Sequence, residues 1–119
     1  MRVKRVIADL SVADVNAAKG FYVDYLGLSS EEFSLGWVAR YVSPPTGAGV
    51  QLVTKDATAK ENPAVSVLID PEDVDQAYAE AQKRGYEIVH PLTAERWGPR
   101  RFFVRAPDGT VLNIVGHRD

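Results

Sequence analysis

The sequence predicts an α+β fold made of two tandem βαβββ modules, and three observations lead there. Hydrophobic periodicity runs through strand, helix and three strands, then through the same order again. Matching signals tie the halves in register. Asp14-Val15 matches Asp73-Val74 at a spacing of 59 residues, and Pro45-Thr46-Gly47 matches Pro107-Asp108-Gly109 at 62. Size is the third: 119 residues with 45 % apolar types suit one domain, residues 1–119, with modules of about 1–56 and 63–119.

The elements follow in order. Val3 to Val12 alternates, with Val6, Ala8, Leu10 and Val12 on one side and Arg5, Ile7, Asp9 and Ser11 on the other, the pattern of a strand. Asp14 offers a side-chain oxygen to the free amides of a helix start. Val15, Ala18, Tyr22 and Leu26 then recur at helical spacing over Asp14–Leu26, and Gly27 can take the left-handed stop. On that helix Phe21, Tyr22 and Tyr25 are expected to pack into the core. Strands follow at Ser30–Ser34, Trp37–Ser43 and Val50–Thr54, with Pro44, Pro45 and Gly47 as the turn between the last two.

After a polar connector at Lys55–Pro63, the apolar run Ala64–Ile69 starts the second module. Asp70-Pro71 opens a helix over Pro71–Arg84, with Val74, Ala77, Tyr78 and Ala81 on one face and Gly85 as its stop. Strands are expected near Tyr86–Val89, Arg101–Arg105 and Val111–Val115, and Pro107-Asp108-Gly109 turns the chain between the last two. Pro91–Arg100 reads as a long irregular stretch.

Composition removes several classes of function. The chain has no cysteine, which excludes disulfides, thiolate metal sites and cysteine nucleophiles. A net charge of −2 with interspersed signs provides no basic stripe for nucleic acid. No apolar run approaches the ~18 residues of a membrane span, and the amino terminus MRVKRVIADLSV lacks an apolar signal core, so a cytoplasmic protein is expected. No G-x-S-x-G elbow, Walker loop or dinucleotide glycine fingerprint occurs.

The resemblance to a known family rests on Asp14-Val15, Phe21-Tyr22 with Tyr25-Leu26-Gly27-Leu28, Asp73-Val74 with Gly85-Tyr86, and above all the tail. There Trp97-Gly98-Pro99-Arg100-Arg101-Phe102-Phe103 precedes Ala106-Pro107-Asp108-Gly109-Thr110-Val111-Leu112-Asn113. This is similar to the phrase G-x-R-x-F-x-x-x-D-P-D-G-N-x-I-E of the vicinal oxygen chelate superfamily. That superfamily includes glyoxalase I, extradiol dioxygenases, fosfomycin resistance enzymes and bleomycin resistance proteins. The resemblance spans the chain and implies a cup-shaped mixed sheet with the helices outside. It also implies a homodimer.

Enzymes of the family bind a divalent metal through one residue of each first strand and one of each last strand. Carried onto this chain, the positions are Ile7, Ser66, Gln51 and Asn113. Isoleucine cannot ligate, serine is a poor neutral donor, and two amides bring no charge, so no metal and no cofactor are expected. His90 and His117 read as solvated or locally hydrogen-bonded side chains. Asp9 is either a ligand contact or the internal partner of an arginine.

The concave face should receive Ile7, Asp9, Ser11, Gln51, Ser66, Leu68 and Asn113, the apolar and amide mixture of a small-molecule pocket. Trp37, Tyr41, Trp97 and Phe103 are the aromatics expected at its rim or floor. Arg96, Arg100 and Arg101 flank Trp97, either to stack on it and clamp a ligand or as surface charges paired with Glu95. The expected ligand set is Trp97, Trp37, Tyr41, Phe103, Gln51, Asn113, Asp9, Ser66 and Arg100, with no catalytic residue. The reading is metal-free sequestration of an aromatic small molecule, in the manner of antibiotic resistance proteins. The alternative is a lyase, isomerase or dioxygenase-type enzyme, with Asp9 as an atypical acid/base or with a metal site in another register.

Overall fold

The computed structural model describes residues Met1–His117, and the chain forms two compact units, Ile7–Asn62 and Met1–Val6 with Pro63–Asp119. Each unit is an α+β assembly of mixed strand pairs and a helix.

In the unit Ile7–Asn62, strand β1 (Val3–Ser11) lies parallel to β4 (Gly49–Val53), and β3 (Val38–Val42) and β2 (Ser30–Ser34) extend the row antiparallel, giving the order β2-β3-β4-β1. Helix α1 (Val15–Lys19) starts where Asp14 Oδ1 accepts from the Ala17 amide at 3.1 Å. Its buried face meets Leu10, Ala39, Tyr41, Val50 and Leu52, the alternate residues of three strands. The other sheet face therefore carries Ile7, Asp9, Arg40 and Gln51.

Beyond Lys19 the helix changes pitch. Gly20–Tyr25 is π-helical, closed by the Leu26 amide on the Phe21 carbonyl at 3.0 Å. The i→i+5 spacing breaks the 3.6-residue rule, so Phe21 and Tyr25 are 55 % and 77 % exposed rather than buried, and Leu26 is exposed with them. Only Tyr22 of the three expected core aromatics packs against the apolar cluster. The connector after β4 is built rather than loose. Asp56 Oδ1 accepts from the amides of Thr58 (3.0 Å) and Ala59 (2.8 Å), and Asn62 bridges the Asp56 amide to the Ser11 hydroxyl.

In the second unit β5 (Val65–Ile69) lies parallel to β8 (Val111–Gly116), followed by antiparallel β7 (Arg100–Arg105) and β6 (Ile88–Ala94), giving the order β5-β8-β7-β6. A 3₁₀ turn at Pro71–Asp73 leads into α2 (Val74–Lys83). The start of the chain ties down this entrance: the Arg2 amide donates to Asp73 Oδ2 at 2.9 Å, and Arg2 and Lys4 form exposed ion pairs with Asp70. Val74, Ala77 and Ala81 bury the helix against Ile69, Phe102, Val104 and Ile114. Gly116 permits the close approach, because a Cβ there would meet Val74 Cγ2 at 2.6 Å and Pro71 Cα at 2.8 Å. In the turn after β7, Asp108 accepts from the Thr110 amide and hydroxyl, which hold its carboxyl below the ordinary aspartate value.

Strand β6 runs longer than its sequence suggests. Pro91 to Ala94 continue it, so the irregular stretch shrinks to Glu95–Pro99. Pro91 is exposed on the last strand of this order, where a missing N–H breaks no ladder bond, and the register shifts between His90 and Thr93 absorb its fixed φ.

Candidate functional site

On the face of the unit Ile7–Asn62 away from its helix, one polar row crosses the strands. The parallel register sets Asp9 opposite Gln51, and the antiparallel one sets Gln51 opposite Arg40. Gln51 Nε2 donates to Asp9 Oδ1 at 2.8 Å, and Arg40 Nε donates to Gln51 Oε1 at 3.0 Å. Arg40 then reaches Glu32 at 3.5 Å, with its guanidinium 4.8 Å from the Phe33 ring centre. Asp9 is only 6 % exposed, and the amide passes the guanidinium's charge inward to it. Asp9 is thus held internally, through Gln51.

The second unit has the corresponding row, Ser66–Asn113–Phe103–His90, set by the pairings of β5, β8, β7 and β6. Asn113 Nδ2 donates to Ser66 Oγ at 3.1 Å. The amide oxygen of the same side chain is buried and has no hydrogen-bond partner among the described residues. Next along the strands, Arg101 Nε donates to Glu95 Oε2 at 2.7 Å, and His90 Nε2 lies 2.9 Å from the same oxygen. All three side chains are buried. The Arg101 guanidinium sits 4.7 Å from the Phe103 ring centre and 5.1 Å from that of Trp97, so two aromatic faces flank it. Trp97 stands in the short turn where Glu95 N donates to Pro99 O, and Gly98 is at φ 120°. The positive φ at Gly98 favours glycine, and a Cβ there would also displace the exposed His117 imidazole, whose Nε2 it would meet at 2.6 Å.

The structure thus gathers Ser66, Asn113, Phe103 and Trp97 in one unit, and Asp9 with Gln51 in the other. It does not bring Tyr41 or Arg100 to these faces. Tyr41 is buried under α1, its hydroxyl donating to Glu31 at 3.1 Å. Arg100 is exposed and pairs with Asp75 of α2. Trp37 precedes β3 half-buried, its carbonyl accepting from the Thr54 amide at 2.9 Å. Ile7 is not the residue across from Gln51; Asp9, two positions on, takes that place. Sequence reasoning missed Arg40, although alternation from Gln51's partner strand marks its face. It left Arg101 open between stacking on Trp97 and surface pairing with Glu95; the structure makes both contacts and buries Arg101 and Glu95, which nothing local in the sequence shows.

Comparison with known proteins agrees with this architecture. The sequence pattern of the Glyoxalase/Bleomycin resistance protein/Dioxygenase superfamily matches residues 4–114. The chain belongs to this superfamily. No curated protein matches it. Among solved structures, a chain from Legionella pneumophila described as NAD-dependent benzaldehyde dehydrogenase is similar at TM-score 0.77 and 20 % identity, over 96 % of this chain and 100 % of that one. A glyoxalase/bleomycin resistance protein/dioxygenase superfamily member from Vibrio splendidus 12B01 gives TM-score 0.69 and 20 % identity, over 94 % and 97 %. An extradiol ring-cleaving dioxygenase from B. fuscum gives 0.72 and 22 % identity over 99 % of this chain and 34 % of that one. At these identities the likeness is one of fold.

The metal of the superfamily's enzymes does not suit the residues present. Gln51 can ligate only through Oε1, and that atom accepts from the Arg40 cation. Asp9 Oδ1 is engaged by the Gln51 amide, and Ser66 with Asn113 adds only neutral donors. No group of three His, Asp or Glu side chains able to hold a metal occurs among the described residues. A dication beside Asp9 would also face a fixed guanidinium charge. No helix among the described residues is long and apolar enough to cross a membrane.

Proposed function

We propose that this protein binds a planar, hydrophobic small molecule without a metal ion and leaves it chemically unchanged. The Trp97–Arg101–Phe103 stack carries the reading, with Arg101 clamped by Glu95. Arg101 and Phe103 are buried and Trp97 is half-buried, so the guanidinium fixes the one accessible ring, and an aromatic side chain so held loses little entropy when a flat ligand covers it. Beside the stack, Ser66 and Asn113 supply neutral polar atoms that orient without demanding charge. Asp9, the acid/base of an enzymatic alternative, is tied into an ion-paired row, which argues for binding over proton transfer. A homodimer is part of the proposal. What supports it is the exposed aromatic surface of Phe21 and Tyr25 with Leu26.

The test is a thermal-shift screen with aromatic compounds, followed by Trp97→Ala against the best hit. A ligand at a hundredfold excess over its Kd should raise stability by about 2.7 kcal/mol. Trp97→Ala should weaken binding by about 2 kcal/mol with little change in melting temperature. A loss of ~3–5 kcal/mol of stability with unchanged affinity would instead make Trp97 plain core. Sedimentation reading a 13.1 kDa species at micromolar concentration would remove the dimer.

A further inference from the structure

We propose that Asn113 selects the ligand, and that the bound molecule presents a neutral N–H or O–H donor to Asn113 Oδ1. This rests on the small-molecule reading and narrows it to a class: flat rings carrying a phenolic hydroxyl, an indole-type N–H or a lactam N–H.

The argument starts from a buried polar atom. Asn113 is 6 % exposed, its Nδ2 is spent on Ser66, and its carbonyl oxygen has no partner among the described residues. Buried acceptors of this kind are rare in folded proteins, because water is lost and nothing replaces it. Position adds a second point. Asn113 lies directly opposite Phe103, whose ring is one side of the guanidinium stack, so the amide is one cross-strand step from the stack.

The surrounding charge then sorts the donors. An ammonium group would approach the Arg101 guanidinium at close range, which disfavours it. A carboxylate would bring oxygen lone pairs against the amide oxygen. A neutral donor has neither conflict and satisfies the atom left over. Because Oδ1 is sealed from solvent in the free chain, the molecule reaches it only by displacing covering side chains. That cost is common to all flat ligands, so the added hydrogen bond separates donors from non-donors.

The experiment uses matched probes that differ only in the donor: phenol against anisole, and indole against 1-methylindole. Affinities for the full chain are read from amide chemical-shift changes in titrations. The expected result is that phenol and indole bind at least tenfold more tightly than their methylated partners. The difference should vanish in Asn113→Leu and persist in Arg100→Gln, an exposed position paired with Asp75 away from this face. The wild-type ratios decide the matter even where a variant folds poorly. Equal binding of both members of each pair would overturn the selection by Asn113 and leave aromatic binding standing. No binding of any probe would overturn both.

Discussion

The two units place different chemistry at the same step of the same module. In Ile7–Asn62 the row across the strands is Asp9–Gln51–Arg40, a carboxylate joined to a guanidinium through one amide. In the other unit it is Ser66–Asn113–Phe103, neutral throughout, with the ion pair moved along β7 to Arg101 and its partner Glu95. The first row closes on itself, since both Gln51 bonds end on another member of the row. Among the described residues the second leaves an acceptor over, on a residue paired across the strands with Phe103. A buried charge requires a partner and gets one inside the fold, whereas a neutral amide can remain partly unsatisfied at a cost of only about 1–3 kcal/mol. The ligand site we propose therefore lies on the neutral row.

The sharpest way to break this comparison is at the ion pairs. Arg101→Met takes the guanidinium from buried Glu95 and should cost about 3–5 kcal/mol by urea denaturation. Glu95→Leu combined with Arg101→Met should recover most of that loss. If the single change costs under about 1 kcal/mol, the pair is solvated and the buried reading fails. The apolar side should respond almost as strongly: Leu52→Ala under α1 is expected to cost ~2–5 kcal/mol, again as a change in denaturation midpoint.

Gln51→Leu removes both the donor to Asp9 and the acceptor of Arg40, and about 1–3 kcal/mol should go with it. The matching change Asn113→Leu removes one bond and one unsatisfied oxygen, so its cost should be clearly smaller. Equal losses at Gln51 and Asn113 would erase the distinction between the rows. The smallest effect is expected at Gly20, which sits in the right-handed helical region (φ −55°, ψ −40°) with nothing within 4 Å of the position a Cβ would take. Gly20→Ala should raise stability by about 0.4–1 kcal/mol, seen as a higher melting temperature. A fall there would mean that the π-helical turns need the glycine.

Much of the fold is legible in the sequence because its signals are local. The alternation in β1, the Asp14 cap and the Pro107-Asp108-Gly109 turn each act within a few residues. The same holds for the faces of the strands: once Gln51 and Asn113 are placed, alternation brings Asp9 and Ser66 to them. Local signals miss whatever depends on an exact phase. The offset between the two helix starts maps Ile7 onto Ser66 and so sets Ile7 against Gln51, but parallel pairing moves the contact to Asp9. A 3.6-residue count assigns Phe21 and Tyr25 to the core, and the π-helical turns do not keep that count.

By itself, the sequence determined the element order, the duplication, the absence of thiol chemistry and the neutral character of Ser66 and Asn113, since all are properties of residue type and near-neighbour spacing. Tertiary structure alone decided that Glu95, Arg101 and His90 are buried together, that Tyr41 and Arg100 lie away from the candidate face, and that Asn113 keeps an oxygen with no partner among the described residues. The reason is physical: burial and pairing of a polar group depend on chain segments tens of residues away. A charge such as Arg101 reads the same in a sequence whether water or a carboxylate will face it.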